Sequence, residues 1–240
     1  GTDQVGRFDI MVDTDNNCID SYTWNLIPID EDHCPRDIEL EKVIQKYKDQ
    51  TDSKYCRVVT RFADRYTHPA RNQETLLGKL LADAFKDVLG VDIMFLGSGS
   101  IRDEELGPIV QYRDLLQVFP YNDEIYRICV TGEQLRRMVK RILRNEGDHA
   151  EYYQFSRGFR IEFNQKEQEL ISLSFNGYEI RDNDQYKLGL QSFHLKNIQD
   201  FLDVSLEEVT AIKRPKIIST KSTDVLEEYF SQYELIRVSN

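Results

Sequence analysis

Cysteine is scarce and scattered in this 240-residue chain: Cys18, Cys34, Cys56 and Cys129 form no Cys-x-x-Cys pair. Zinc sites draw on closely spaced ligand pairs, and Asp32-His33-Cys34 has no second pair to match it. Histidine is equally thin, with His68, His149 and His194 isolated from any Asp, Cys or His at metal-ligating spacing. Long apolar runs are missing too, and none approaches the roughly 20 residues that span a bilayer. Positive charge is in deficit: 31 Lys and Arg against 42 Asp and Glu leave a formal net charge of −11. Without a broad basic field nothing draws in a phosphodiester backbone, which argues against a nucleic-acid partner. A few arginines in a pocket still act locally on a small anion. The cysteines leave the compartment open, as reduced thiols or as two disulfides of an exported protein.

What is present is enough apolar material for a core. Hydrophobic residues make up 40% and aromatics 11%, which a disordered chain does not carry. Gly6-Arg7-Phe8-Asp9-Ile10-Met11-Val12-Asp13 alternates apolar with polar residues, meets the turn cluster Thr14-Asp15-Asn16-Asn17, and is followed by a second alternating run to Ile27-Pro28-Ile29-Asp30. That is a β-hairpin pattern, which needs a larger sheet to be stable. Ile38, Leu40, Val43, Ile44 and Tyr47 then form the apolar stripe of a helix over 37–48, with acids early and lysines late.

Downstream the periods alternate. Strands are expected over 56–60, 91–96 and 125–130, with further β-rich stretches at 155–163, 170–175 and 186–190 and a closing strand at 235–238. Helices are expected over 74–89, behind the capping box Thr131-Gly132-Glu133-Gln134, and after Ser222-Thr223-Asp224. The alternation predicts an α/β (mixed α+β) architecture of layers around mixed sheets. Arg136, Arg137, Lys140, Arg141 and Arg144 give the helix after the capping box a basic face of the kind solvent usually covers.

The densest chemical pattern is Leu96-Gly97-Ser98-Gly99-Ser100-Ile101-Arg102, at the end of the strand that runs through Val91-Asp92-Ile93-Met94-Phe95. A glycine-serine turn there brings bare backbone N–H groups close to a ligand. An arginine fork can hold phosphate or ribose oxygens, and an aromatic ring can stack on a base. Arg71-Asn72-Gln73-Glu74-Thr75-Leu76-Leu77-Gly78 lies upstream and Val118-Phe119-Pro120-Tyr121 downstream. Read alone, Arg71 is equally a surface arginine, the turn a tight loop, and Tyr121 a proline-anchored core ring.

In this order and spacing the segments resemble the C-terminal, substrate-binding domain of the 5'-nucleotidase family, which includes UDP-sugar hydrolases and 2',3'-cyclic-nucleotide phosphodiesterases. The hairpin, with its Gly-Arg-Phe-Asp and Ile-Pro-Ile-Asp strands, resembles the one that closes the family's N-terminal metallophosphoesterase domain. The resemblance implies a terminal hairpin of the catalytic domain at 1–34, a connecting helix at 35–54 and the substrate-binding domain at 55–240. It implies nucleotide or nucleoside contact by Arg71, by the turn Gly97, Ser98, Gly99 and Ser100, and by Arg102. Tyr121 and Phe193 would stack on the two faces of a base, and Asp200 would accept from a ribose hydroxyl.

Three departures from the family pattern stand out. Gly97 stands where many members carry a base-reading Asn or Ser, and Ser98 and Ser100 replace two glycines. The late segment Phe193-His194-Leu195-Lys196-Asn197-Ile198-Gln199-Asp200-Phe201 lacks the family's three glycines, so a helical turn is expected in place of a glycine loop. The resemblance also implies that catalysis needs two divalent metal ions held by Asp-x-His and Gly-Asn-His-Glu motifs of the other domain, and neither motif occurs here. The expectation is therefore a recognition domain without catalytic residues, metal or cofactor of its own, whose partners are a nucleotide and a catalytic domain of the same chain. A stand-alone nucleoside-binding module and a scaffold that has lost its ligand are the alternatives.

Overall fold

A computed structural model describes residues 3–144, 151–164, 166–167 and 169–237. The chain divides into two units, Gly1–Ser53 and Lys54–Asn240. In the first, Gln4–Asp13 and Cys18–Pro28 pair as an antiparallel hairpin with Phe8 opposite Trp24. Asp13 sets the turn: its Oδ1 accepts the N–H groups of Asp15 (2.9 Å) and Asn16 (3.1 Å). Val5, Phe8, Ile10, Trp24 and Leu26 are exposed, because a two-stranded ribbon has no second layer to cover them. The helix Ile38–Tyr55 opens at Asp37, whose Oδ1 accepts the Leu40 N–H at 3.0 Å. It runs on past the expected residue 48, since no Gly or Pro interrupts 49–55.

The second unit is built on a five-stranded sheet in the order Lys216–Ser219, Ile125–Thr131, Gln185–Gln191, Ile93–Gly97, Tyr153–Phe155. Gln185–Gln191 and Ile93–Gly97 pair in parallel and the other neighbours are antiparallel, so the fold is mixed α/β as its pattern predicts. Ile93–Gly97 is buried at every position. Met94 and Leu96 enter one core with Leu77, Leu81 and Phe85 of the helix Leu76–Leu89 and with Leu226 and Phe230 of the helix Ser222–Arg237. Ile93 and Phe95 enter a second core with Leu135, Met138, Val139 and Ile142 of the helix Gly132–Arg144. Full burial of each large apolar side chain is worth roughly 1.5–3 kcal/mol. A strand held from both faces in this way fixes the place of the turn that follows it.

Local signals start and stop these elements. Thr75 caps the helix Leu76–Leu89, its Oγ1 accepting the Gly78 N–H at 3.0 Å, and Gly90 ends it with a left-handed φ of 63°. At Gly132–Arg144 the expected capping box forms: the Gln134 N–H donates to Thr131 Oγ1 (3.2 Å) and the Thr131 N–H to Gln134 Oε1 (2.9 Å).

Two expectations are corrected. The stretch 155–163 is two strands, Tyr153–Phe155 in the main sheet and Phe159–Asn164 in a separate three-stranded sheet, broken at Gly158 with a left-handed φ of 87°. No strand forms over 235–237, where the helix Ser222–Arg237 continues; Val238 lies outside the described residues. A four-residue apolar run does not by itself distinguish strand from helix, and a helix already anchored by buried Val225, Leu226 and Phe230 extends at little cost.

Candidate functional site

The sheet delivers the turn to a cavity. Ile93–Gly97 ends in a single 3₁₀ turn, Ser98–Ser100, and the chain leaves through Arg102, whose N–H donates to the Val118 carbonyl at 2.8 Å. Gln154, fully buried on the neighbouring strand, ties the turn to the segment that follows Arg71. Its Oε1 accepts the Thr75 N–H (2.9 Å), and its Nε2 donates to the Gln73 carbonyl (2.8 Å) and to Ser98 Oγ (3.0 Å). Ser100 Oγ exchanges hydrogen bonds with the Gln191 side chain at 3.0 and 3.1 Å.

A cavity of about 440 Å³ lies above this turn. Arg71, Gly99, Ser100, Arg102, Tyr121 and Phe193 line it, joined by Asp123, Glu151 and His194. Phe119 is fully buried, and across Pro120 the chain turns outward, leaving the Tyr121 ring 45% exposed. Tyr121 is held by its backbone: its carbonyl accepts from Ser222 Oγ at 2.8 Å, and Asn122 Oδ1 accepts from Thr223 Oγ1 at 3.0 Å. The Arg102 guanidinium lies 6.0 Å from the centre of that ring, within cation–π range. Phe193 is 53% exposed and leans on the His194 and Phe201 rings. A larger groove of about 780 Å³ opens beside Gly158, but the rings that line it, Phe155 and Phe159, are buried.

The electrostatics of the site are mixed. Glu151 is partly buried and its Oε1 accepts the Gly99 N–H at 2.7 Å. Burial pushes its carboxyl pKa up, while that N–H and the Arg71 charge pull it down. The His194 ring is buried, and desolvation lowers its pKa to about 4. His194 Nδ1 lies 2.8 Å from the hydroxyl of Tyr153, whose own pKa burial raises well above the ordinary tyrosine value. His68 is also buried; burial lowers its pKa, and its Nδ1 sits 2.8 Å from Thr75 Oγ1. Among the described residues no three His, Cys, Asp or Glu side chains gather as a metal site, and His149 lies outside those residues.

A family model for the C-terminal domain of 5'-nucleotidases matches residues 51–203. The chain belongs to that family. Among curated relatives, the endonuclease YhcR of Bacillus subtilis is 23% identical over 137 residues, covering 56% of this chain and 11% of the relative. A 5'-nucleotidase of Vibrio parahaemolyticus is 23% identical over 172 residues, covering 70% of this chain and 29% of the relative. The chain thus spans less than a third of the length of these relatives. The crystal structure of a 5'-nucleotidase precursor from Thermus thermophilus matches with a TM-score of 0.66 at 14% identity, over 97% of this chain and 47% of that one, and so shares the fold.

Set against the family pattern, the cavity gathers six of the nine residues that the resemblance singled out, and three lie elsewhere. Gly97 and Ser98 are fully buried beneath it. Asp200 is exposed on the short helix Ile198–Leu202, where its carbonyl accepts from Arg141 Nε at 3.2 Å. The helical turns Ser192–Lys196 and Ile198–Leu202 stand where the family has a glycine loop, as the missing glycines predict. The bare turn amides expected from sequence are not bare. The Gly99 N–H goes to Glu151, and the Ser98 N–H donates to the Tyr152 carbonyl at 2.8 Å.

Sequence reasoning missed Asp123, Glu151 and His194 as lining residues. His194 had one usable signal, since it adjoins Phe193 in the sequence. Glu151 had none, because it reaches Gly99 from 52 residues away.

Proposed function

We propose that this chain is the nucleotide- or nucleoside-recognition domain of a metal-dependent 5'-nucleotidase-like phosphohydrolase. In this reading it holds base and ribose, while a separate catalytic domain of the same polypeptide carries the two divalent metal ions and cleaves the phosphoester. The observation that carries the reading is the pairing of two half-exposed rings, Tyr121 and Phe193, with Arg71 and Arg102 at one cavity. A base has two π-faces, and stacking on a protein ring is worth roughly 1–3 kcal/mol per base. Two arginines against Asp123 and Glu151 leave little net charge at the cavity, which suits the uncharged end of a nucleotide better than its phosphate. Family membership and a relative named as a 5'-nucleotidase point to the same substrate class. The described residues offer no donor set for the catalytic metals, so no hydrolytic step is assigned to them.

Calorimetric titration of the chain with adenosine and AMP tests the reading. Binding is expected, and Tyr121→Ala and Phe193→Ala should each weaken it by about ten- to a hundredfold. Wild-type protein that takes up no nucleoside or nucleotide would favour the scaffold alternative.

A further inference from the structure

His194 is a buried residue that lines the cavity. Its ring is only 2% exposed, yet it forms part of the wall beside the half-bare Phe193 ring, with the two ring centres 5.4 Å apart and nearly perpendicular. One nitrogen is engaged: Nδ1 lies 2.8 Å from the Tyr153 hydroxyl. Among the described residues that hydroxyl has no other hydrogen-bond partner and Tyr153 is fully buried, so the arrangement that gives the hydroxyl proton an acceptor has Tyr153 donating and Nδ1 accepting. The imidazole proton then sits on Nε2.

Nε2 has no hydrogen-bond partner among the described residues, and it is not sealed in the core as the partnerless Nε2 of His68 is. It lies directly over Gly97: a Cβ at position 97 would fall 2.1 Å from it. The absence of a side chain at 97 is thus what leaves room for this nitrogen at the end of the strand. An N–H without a protein partner, on a residue that lines the cavity, is available to a ligand's acceptor.

Resting on the recognition reading above, we propose that His194 is the base-reading residue of this cavity: its Nε2–H donates to an in-plane acceptor, a ring nitrogen or a ring carbonyl oxygen, of a base stacked on Phe193. The geometry is complementary. The edge of a base lying on the Phe193 ring points sideways, and the neighbouring imidazole is nearly perpendicular to that ring. The Tyr153 bond holds the ring in one tautomer, so it acts as a donor alone. Its neutral state also persists across the physiological range, since burial keeps the ring unprotonated down to about pH 4. Stacking on Tyr121 and Phe193 accepts any base, because every base has a π-face; the directed N–H is what distinguishes one base edge from another.

The test compares adenosine, guanosine, cytidine and uridine by calorimetry on wild type, His194→Phe and Tyr121→Ala. His194→Phe should weaken the tightest of the four by roughly tenfold and narrow the spread among them. Tyr121→Ala should lower all four by similar factors. Long-range ¹H–¹⁵N spectra of the wild-type imidazole add a readout that needs no variant: the Nε2–H tautomer is expected, with the Nε2 signal moving when nucleoside is added. Measurable nucleoside binding together with an unchanged spread in His194→Phe overturns this proposal alone, as does an Nδ1–H tautomer. A wild type that binds none of the four overturns the recognition reading and this proposal with it.

Discussion

Gly97 and His194 share one volume: a Cβ on Gly97 would fall 2.1 Å from His194 Nε2 and 2.5 Å from its Cε1. Neither partner can yield easily. Gly97 sits in a strand buried at every position, and the imidazole is tethered to Tyr153. Gly97→Ala should therefore cost about 1–3 kcal/mol of stability through overpacking and push the ring off its place. Chemical denaturation gives the first number, and loss of the 2.8 Å Tyr153–His194 bond in the variant's structure checks the second.

His194 should also make stability depend on pH. Its folded-state pKa is about 4 against an ordinary 6.5, so between those values the unfolded chain binds more protons. Its contribution is present in full above pH 6.5 and is lost as pH falls towards about 4, a change on the order of 3 kcal/mol. Glu151, its pKa raised by burial, works in the opposite sense, so the diagnostic quantity is a difference between proteins. Unfolding free energies of wild type and His194→Phe between about pH 4 and 7 should have different slopes. Parallel curves would show that the ring is not the group responsible.

Gln154→Leu keeps the bulk of that side chain but removes its polar atoms. It unpairs the Thr75 N–H and the Gln73 carbonyl at the start of the helix Leu76–Leu89. The buried Thr75 N–H left unpaired costs about 1–3 kcal/mol, while the Gln73 carbonyl can turn to water. The variant should be measurably less stable, and hydrogen exchange should be faster at Thr75 and Gly78 than at the far end of the same helix. Equal protection at both ends would mean that Gln154 is only a spacer.

Purified chain with added Mg²⁺, Mn²⁺ or Zn²⁺ should not hydrolyse AMP or a generic phosphomonoester. The described residues contain no cluster of three His, Cys, Asp or Glu able to hold a metal ion. Turnover that survives repurification and tracks this polypeptide would overturn the division of labour proposed for it.

Much of the fold was legible because its signals are local. The apolar run at Ile93–Gly97, the i, i+3, i+4 stripe of Leu76–Leu89, and the cap at Thr131 each depend on neighbours a few residues apart. The failures came where local signals are ambiguous. Leu235-Ile236-Arg237 fits strand or helix equally, and the helix already packed through Leu226 and Phe230 decided the matter.

By itself the sequence determined most of the elements and the strand-to-turn passage at Gly97–Arg102, since these rest on short-range periodicity, and its motifs carried the resemblance to the family. Tertiary structure alone decided which polar groups meet. Glu151 takes the Gly99 amide, Gln154 joins two distant segments, Tyr153 selects the tautomer of His194, and Asp200 stays outside the cavity. These pairings join residues 41 to 79 positions apart, and no sequence period encodes contacts at such separations. They exist because the sheet brings the ends of its strands together, where burial makes every polar atom find a partner or face the cavity.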